Sequence, residues 1–197
     1  MQRKKQAAGI FEEDIKQALT VLESGGVIVY PTDTVWGIGC DATRDDAVEK
    51  VQSIKSRNKR KSLIVLVSSL SMLERYVRDI PQIVYELLEV SDRPLTIIYP
   101  EGRNLAGEVY AKDNSVAIRI CNEPFVTELI DRFRKPLVST SANISGKAYP
   151  SNFDGIDPEL LEKADYVVRY RRNDRKHHSP SPVIRVEYNG VIKIIRQ

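Results

Sequence analysis

Four polar segments of this 197-residue chain hold side chains able to do chemistry, and each follows an apolar stretch. They are Pro31-Thr32-Asp33-Thr34-Val35-Trp36-Gly37, the pair Lys55 and Arg57, Arg119 within Ser115–Cys121, and Ser139-Thr140-Ser141-Ala142-Asn143-Ile144-Ser145-Gly146. In α/β proteins ligands gather where loops leave strand ends, so the four segments read as pieces of one small-molecule site. A lysine supplies a point charge and an arginine a planar fork, a pairing suited to a polyphosphate, although a bare basic run is more often a solvated loop. Seven of the eight residues from Ser139 to Gly146 are small or polar. They offer hydroxyls and backbone N–H groups to phosphate oxygens, or form an ordinary turn, and they lack P-loop spacing. Arg119 lies among apolar neighbours, where it either reaches for solvent or anchors a carboxylate or phosphate. Asp33 suits a metal or the backbone of its own loop, and Tyr30 and Trp36 read as core or pocket wall.

The charge is local. Lys and Arg number 30 against 27 Asp and Glu, for a net charge of +3. Lys55, Arg57, Lys59, Arg60 and Lys61 crowd into residues 55–61, while Arg169, Arg171, Arg172, Arg175 and Lys176 surround Asp174. The rest of the chain is net acidic. The first cluster is a candidate wall of a phosphate site. The second reads as an exposed loop, free for tRNA or a partner protein, or merely solvated.

Several classes drop out. The longest charge-free run, Ser62–Leu73, is too short for a membrane helix. Glu12, Glu13 and Asp14 interrupt any secretory leader after Arg3, Lys4 and Lys5. Cys40 and Cys121 lack metal spacing, and His177 and His178 are the only histidines, so neither a zinc set nor histidine-dependent nucleophilic catalysis is expected. Two reduced, buried thiols of a cytoplasmic protein are the expectation.

The elements that must position these segments alternate between helix and strand, with one domain expected over residues 1–197. Ile15, Ala18, Leu19 and Leu22 share a helix face that stops at Gly25-Gly26, and Val27–Tyr30 is a buried strand leading into a loop over Thr32–Asp41. Thr43 with Asp46 reads as a variant capping box. Strands are expected at Leu63–Val67, Leu95–Tyr99, Ser115–Cys121, Pro136–Thr140 and 166–170, and helices at 70–77, 82–90, from Pro124, and near 156–164. A hairpin closes the pattern, Val183–Val186 and Val191–Ile195 turned by Asn189-Gly190 as a type I′ turn. Interleaved helices with an antiparallel hairpin predict an α/β fold on a mixed sheet.

Residues 25–42, Ile54-Lys55-x-Arg57, Ser115-Val116-Ala117-Ile118-Arg119 and Ser139–Gly146 together resemble the YrdC/TsaC family, in order and in separation, over essentially the whole chain. The resemblance implies an open, twisted mixed sheet with flanking helices and a large basic cavity. It implies a threonylcarbamoyl-AMP synthase, condensing L-threonine, bicarbonate and ATP with Mg²⁺ and releasing pyrophosphate. Partner transferase proteins would then modify tRNA. Carried over by position, Lys55, Arg57, Ser141 and Asn143 would be catalytic. ATP would meet these four together with Lys61, Ser115, Tyr149 and Arg196. Threonine would meet Thr34, Leu66, Arg119, Ser139 and Ser181, with Arg119 on its carboxylate, and no protein metal ligand is implied. The chain departs from the family's usual residues at Asn58, Leu66, Tyr149 and Pro182. It stops where longer members continue into a further domain, which implies a short-form enzyme. An RNA-binding module and a YciO-like paralogue with altered chemistry are the alternatives.

Overall fold

In a computed structural model of the protein, which describes residues 2–55 and 63–197, nine strands form one sheet. The first helix, α1 (Gln2–Glu23), buries Ile15, Ala18 and Leu22 and ends before Gly25 and Gly26. Strands β1 (Ile28–Tyr30) and β2 (Gly37–Asp41) follow, then α2 (Asp45–Ile54) and β3 (Ile64–Val67). Helices α3 (Leu70–Leu73) and α4 (Gln82–Val90) precede β4 (Thr96–Tyr99), β5 (Val116–Ile120), α5 (Pro124–Phe133) and β6 (Leu137–Ser141). The chain continues through α6 (Pro158–Glu162), β7 (Tyr166–Val167), β8 (Val183–Val186) and β9 (Ile192–Arg196).

The strand order is β7-β1-β2-β6-β3-β5-β4-β8-β9. Pairs β1–β7, β3–β5 and β4–β8 are parallel and the other five antiparallel, so the sheet is mixed as expected. The central pairings matter most for the site: Ser139 on β6 lies between Gly39 on β2 and Ile64 on β3, while Arg119 on β5 is level with Leu66 on β3. Helix α1 packs on α5, with Phe11 meeting Phe125 and Tyr170 edge-on at 5.6 and 5.2 Å. This aromatic group ties the N-terminal helix to the chain just after β7.

The structure departs from the sequence reading in five places. Residues 37–41 are a buried strand rather than loop. Thr43 caps nothing: its hydroxyl and N–H both donate to the buried carboxylate of Asp41, and α2 begins after Arg44. The helix expected over 70–77 is a single turn begun by Ser69, whose hydroxyl oxygen accepts from the Met72 N–H. The strand expected over 166–170 stops at Val167 because the N–H groups of Arg169 and Tyr170 donate to Asp14 instead of continuing the ladder. The final hairpin is not type I′, which needs positive φ at two residues; Gly190 alone is positive, at +82°. Its N–H donates to the Glu187 carbonyl and the Glu187 N–H to Val191, which makes a three-residue loop with a left-handed glycine.

Candidate active site

A cavity of about 440 Å³ opens between the sheet and the segment that follows β6. Its sheet side carries Thr32, Thr34, Arg119, Ser139 and Ser181, all buried. Strand alternation puts Ser139 and Ser141 on one face of β6. Gly37 keeps that face open, since a Cβ there would lie 2.9 Å from Ser139 Oγ. Arg119, only 4% exposed, pairs with Asp33 at 3.0 Å and donates to Ser181 Oγ at 3.3 Å, while its Nε has no partner among the described residues. Ser181 is held in turn by Thr96, 2.7 Å between hydroxyls, and by Arg196, whose Nη2 donates to the Ser181 carbonyl at 2.7 Å. A buried guanidinium on a cavity wall is equipment for an anion, and a carboxylate fits its fork.

The loop side runs from Ser141 to Tyr149 and rests on Lys55. Lys55 is 2% exposed, and its ammonium donates to the carbonyls of Ser141 and Asn143 and, at 3.4 Å, to Asn143 Oδ1. Ser141 donates to Asn143 Oδ1, and Asn143 Nδ2 donates to the Lys147 carbonyl at 2.6 Å. The Ser145 N–H reaches back to the Lys55 carbonyl at 3.1 Å. The loop's shape is thus set by its own side chains and by one buried cation. Past Gly146 it is exposed, and Lys147 and Tyr149 stand at the rim.

Most residues expected at the site surround this one cavity: Lys55, Ser141, Asn143, Tyr149, Arg196, Thr34, Arg119, Ser139 and Ser181. Lys55 is placed differently from the expectation, beneath the loop with its ammonium turned to loop oxygens rather than out to a phosphate. Two expected residues lie elsewhere. Ser115 donates to Asp113 and lines a second cavity of about 380 Å³ with Ala117 and Arg185. The bonds from Ser115 and Arg185 hold the Asp113 carboxyl down at about 2. Leu66, level with Arg119, is fully buried in the apolar core and does not line the cavity, as expected of an apolar side chain. Arg57 and Lys61 fall outside the described residues. Thr32, Lys147 and Pro180 line the cavity without having been singled out for it. Thr32 stood inside the Pro31–Gly37 segment, and Lys147 directly follows Gly146, so both were within reach of the sequence signal.

The four arginines of the second basic cluster make contacts within the protein, while Lys176 is exposed. Arg169 pairs with buried Asp14, and Arg171 with Glu123 and Asp174. Arg172 donates to the carbonyls of Val167 and Val168 and stacks over Phe153, and Arg175 pairs with Asp154. These contacts fasten the connection from β7, at one edge of the sheet, to β8 near the other. Arg171 Nη1 also donates to the Thr32 carbonyl, and the same connection brings Pro180 and Ser181 to the cavity. Burial raises the pKa of Glu123 despite the opposing pull of Arg171.

Among the described residues lining the cavity none is a carboxylate, while Lys55, Arg119, Lys147 and Arg196 are cationic. The cavity therefore suits an anion or several. Cys40 and Cys121 are free and buried; burial pushes the Cys121 thiol up to about 12, so it stays protonated. No helix of the described residues is long and apolar enough to cross a membrane.

Comparison with known proteins places this geometry. The Sua5/YciO/YrdC model, described as "Telomere recombination", matches residues 20–197. A threonylcarbamoyl-AMP synthase of Vibrio parahaemolyticus is 32% identical over 167 residues, 83% of this chain and 90% of that protein. The P. abyssi Sua5 structure complexed with L-threonine superposes with a TM-score of 0.75 at 25% identity. That match covers 90% of this chain, which spans about half, 52%, of the Sua5 chain. E. coli YciO shares the fold, with a TM-score of 0.80 at 22% identity over 93% of this chain and 88% of its own. With four motif segments converging on one cavity and a family model matching almost end to end, the chain belongs to the Sua5/YciO/YrdC family.

Proposed function

We propose that the chain is an L-threonylcarbamoyladenylate synthase, acting on L-threonine, bicarbonate and ATP. The observation that carries this reading is the pairing, in one cavity with no carboxylate among its described lining residues, of buried Arg119 and a cation-supported polar loop. Arg119 takes the carboxylate of threonine, the ligand named for the P. abyssi structure. Ser139 and Ser181 flank it. The triphosphate lies along the loop, where Lys147 and Arg196 neutralise charge and Tyr149 offers a face to the base.

The threonine amine condenses with bicarbonate to a carbamate, with loss of water. A carbamate oxygen then attacks the α-phosphorus of ATP, and pyrophosphate leaves. Neither step calls for a protein nucleophile. The chain's contribution is to hold two reactants in register and to oppose the accumulating negative charge. Mg²⁺ takes oxygen ligands, usually carboxylates together with substrate phosphates. Because the described cavity wall offers hydroxyls and amides rather than carboxylates, the ion would be carried on the ATP phosphates, where it supplies charge neutralisation. The product would pass to separate transferase proteins for tRNA modification. An RNA-binding reading drew its support from residues 169–176, whose arginines also make contacts within the protein.

The test is incubation with Mg·ATP, labelled bicarbonate and L-threonine, following pyrophosphate and threonylcarbamoyl-AMP. Threonine-dependent formation of both is expected. ATP hydrolysis indifferent to threonine would replace the reading with a YciO-like paralogue. No turnover together with salt-sensitive tRNA binding would replace it with an RNA module.

A further inference from the structure

Thr32 is 3% exposed, lines the cavity and has a hydrogen-bond arrangement with only one consistent direction. Its hydroxyl donates to the Val35 carbonyl at 2.8 Å; a carbonyl can only accept, so this bond uses the single hydroxyl proton of Thr32. The Thr34 N–H donates to Thr32 Oγ1 at 3.0 Å. The remaining contact, 3.0 Å between the two hydroxyl oxygens, must then be donated by Thr34. The only hydroxyl proton of Thr34 points back at Thr32, and what Thr34 turns to the cavity is lone pairs.

We propose that Thr32 is a positioning residue that makes Thr34 a pure acceptor for the amine of the incoming amino acid. The inference rests on the synthase reading and deepens it. Arg119, which lines the cavity, carries N–H donors and no acceptor. A carboxylate can bond Arg119 but not Thr34, and an amine the reverse, so the two side chains fix which way round the substrate lies. Holding one amine N–H on Thr34 leaves the nitrogen lone pair free to attack the carbon of bicarbonate.

The experiment measures calorimetric affinity for L-threonine and for 3-hydroxybutyrate, which is threonine without its amine, alongside KM for threonine and ATP. The proteins are wild type, Thr32→Val, Thr32→Ser, Thr34→Val and the double variant Thr32→Val/Thr34→Val. Thr32→Val is expected to weaken L-threonine about fivefold, the worth of one neutral hydrogen bond. Affinity for 3-hydroxybutyrate and KM for ATP should stay put, Thr32→Ser should match wild type, and Thr32→Val should cost nothing further in the Thr34→Val background. Equal losses for both ligands, no loss, or full additivity would overturn the proposal. Should Thr32→Val fail to fold, Thr34→Val must still lose discrimination between the two ligands while Thr34→Ser keeps it; unchanged discrimination in Thr34→Val overturns the proposal. Wild-type protein that discriminates through Thr32 yet forms no threonylcarbamoyl-AMP removes the synthase reading alone. Turnover that is indifferent to Thr32→Val removes this inference alone, and wild type that binds neither ligand removes both.

Discussion

On the sheet side of the cavity, Thr32, Thr34, Arg119, Ser139 and Ser181 are buried, and the bonds of Thr32, Thr34 and Arg119 point in fixed directions. On the loop side, Gly146 to Tyr149 are exposed, and Lys147 shares its cation with Asp157 at the surface. On the function proposed above, the difference corresponds to two recognition problems. A small amino acid is selected by donors and acceptors that cannot rearrange, because a mismatched group there leaves a buried partner unsatisfied. A triphosphate is bound mostly by charge, which tolerates displacement, and its pyrophosphate must leave after each turnover. A closed wall suits the first and an open rim the second.

The strongest way to break this contrast is Arg119→Met. It removes the charge-assisted carboxylate contact, and kcat/KM for threonine should fall about 100-fold while KM for ATP stays within about twofold. A similar loss on ATP would mean that the two sides are not separate. Next comes Arg171→Met, which strands the carboxylate of Glu123 and releases the Thr32 carbonyl. Chemical denaturation should show a loss of about 3 kcal/mol, and Arg171→Met/Glu123→Leu should recover most of it, because the second change removes the unpaired buried charge. KM for threonine should remain raised in both variants, since neither restores the bond to Thr32. Lys55→Ala probes the loop side from beneath: KM for ATP should rise about tenfold as the Ser141–Asn143 carbonyls lose their shared donor. Threonine affinity measured without ATP should not move. The smallest effect belongs to Tyr149→Ala, about fivefold on KM for ATP through lost stacking, with no change in unfolding midpoint because the side chain is exposed. A fall in the midpoint would place Tyr149 in the fold rather than at the rim.

Much of this was legible in the residues. Apolar periodicity located α1, α4 and α5, and short β-branched runs located β1, β3, β4, β5 and β6, because each buries a contiguous face that the pattern must encode. Convergence of the polar segments followed from their positions after strands. What the pattern hid was set by long-range partners. Gly-Ile-Gly-Cys-Asp reads as loop because glycine disfavours strands, yet Gly39 permits β6 to approach so closely that a Cβ would sit 1.7 Å from the Val138 carbonyl oxygen. Asp14, one of three consecutive acids in α1, ends β7 from 152 and more residues away in sequence. The arginines of 169–176 looked free because their partners, Asp14, Glu123 and Asp154, lie far along the chain or in other elements. Lys55 was legible as a site residue, but which way its ammonium turns depends on the loop laid over it.

The connection between β7 and β8 has a consequence for how the molecule is made. It delivers Ser181, and β9 then delivers Arg196, after every other residue of the cavity has been synthesised. A nascent chain can pair β1, β2, β3, β5 and β6, yet its amino-acid pocket lacks one wall until the last strands arrive. Substrate therefore cannot template the early sheet. It can bind only a finished cavity, and its stabilising effect by mass action falls on the complete fold alone. Ligand-dependent protection thus becomes a signal that the connection from β7 to β8 is in place across the sheet.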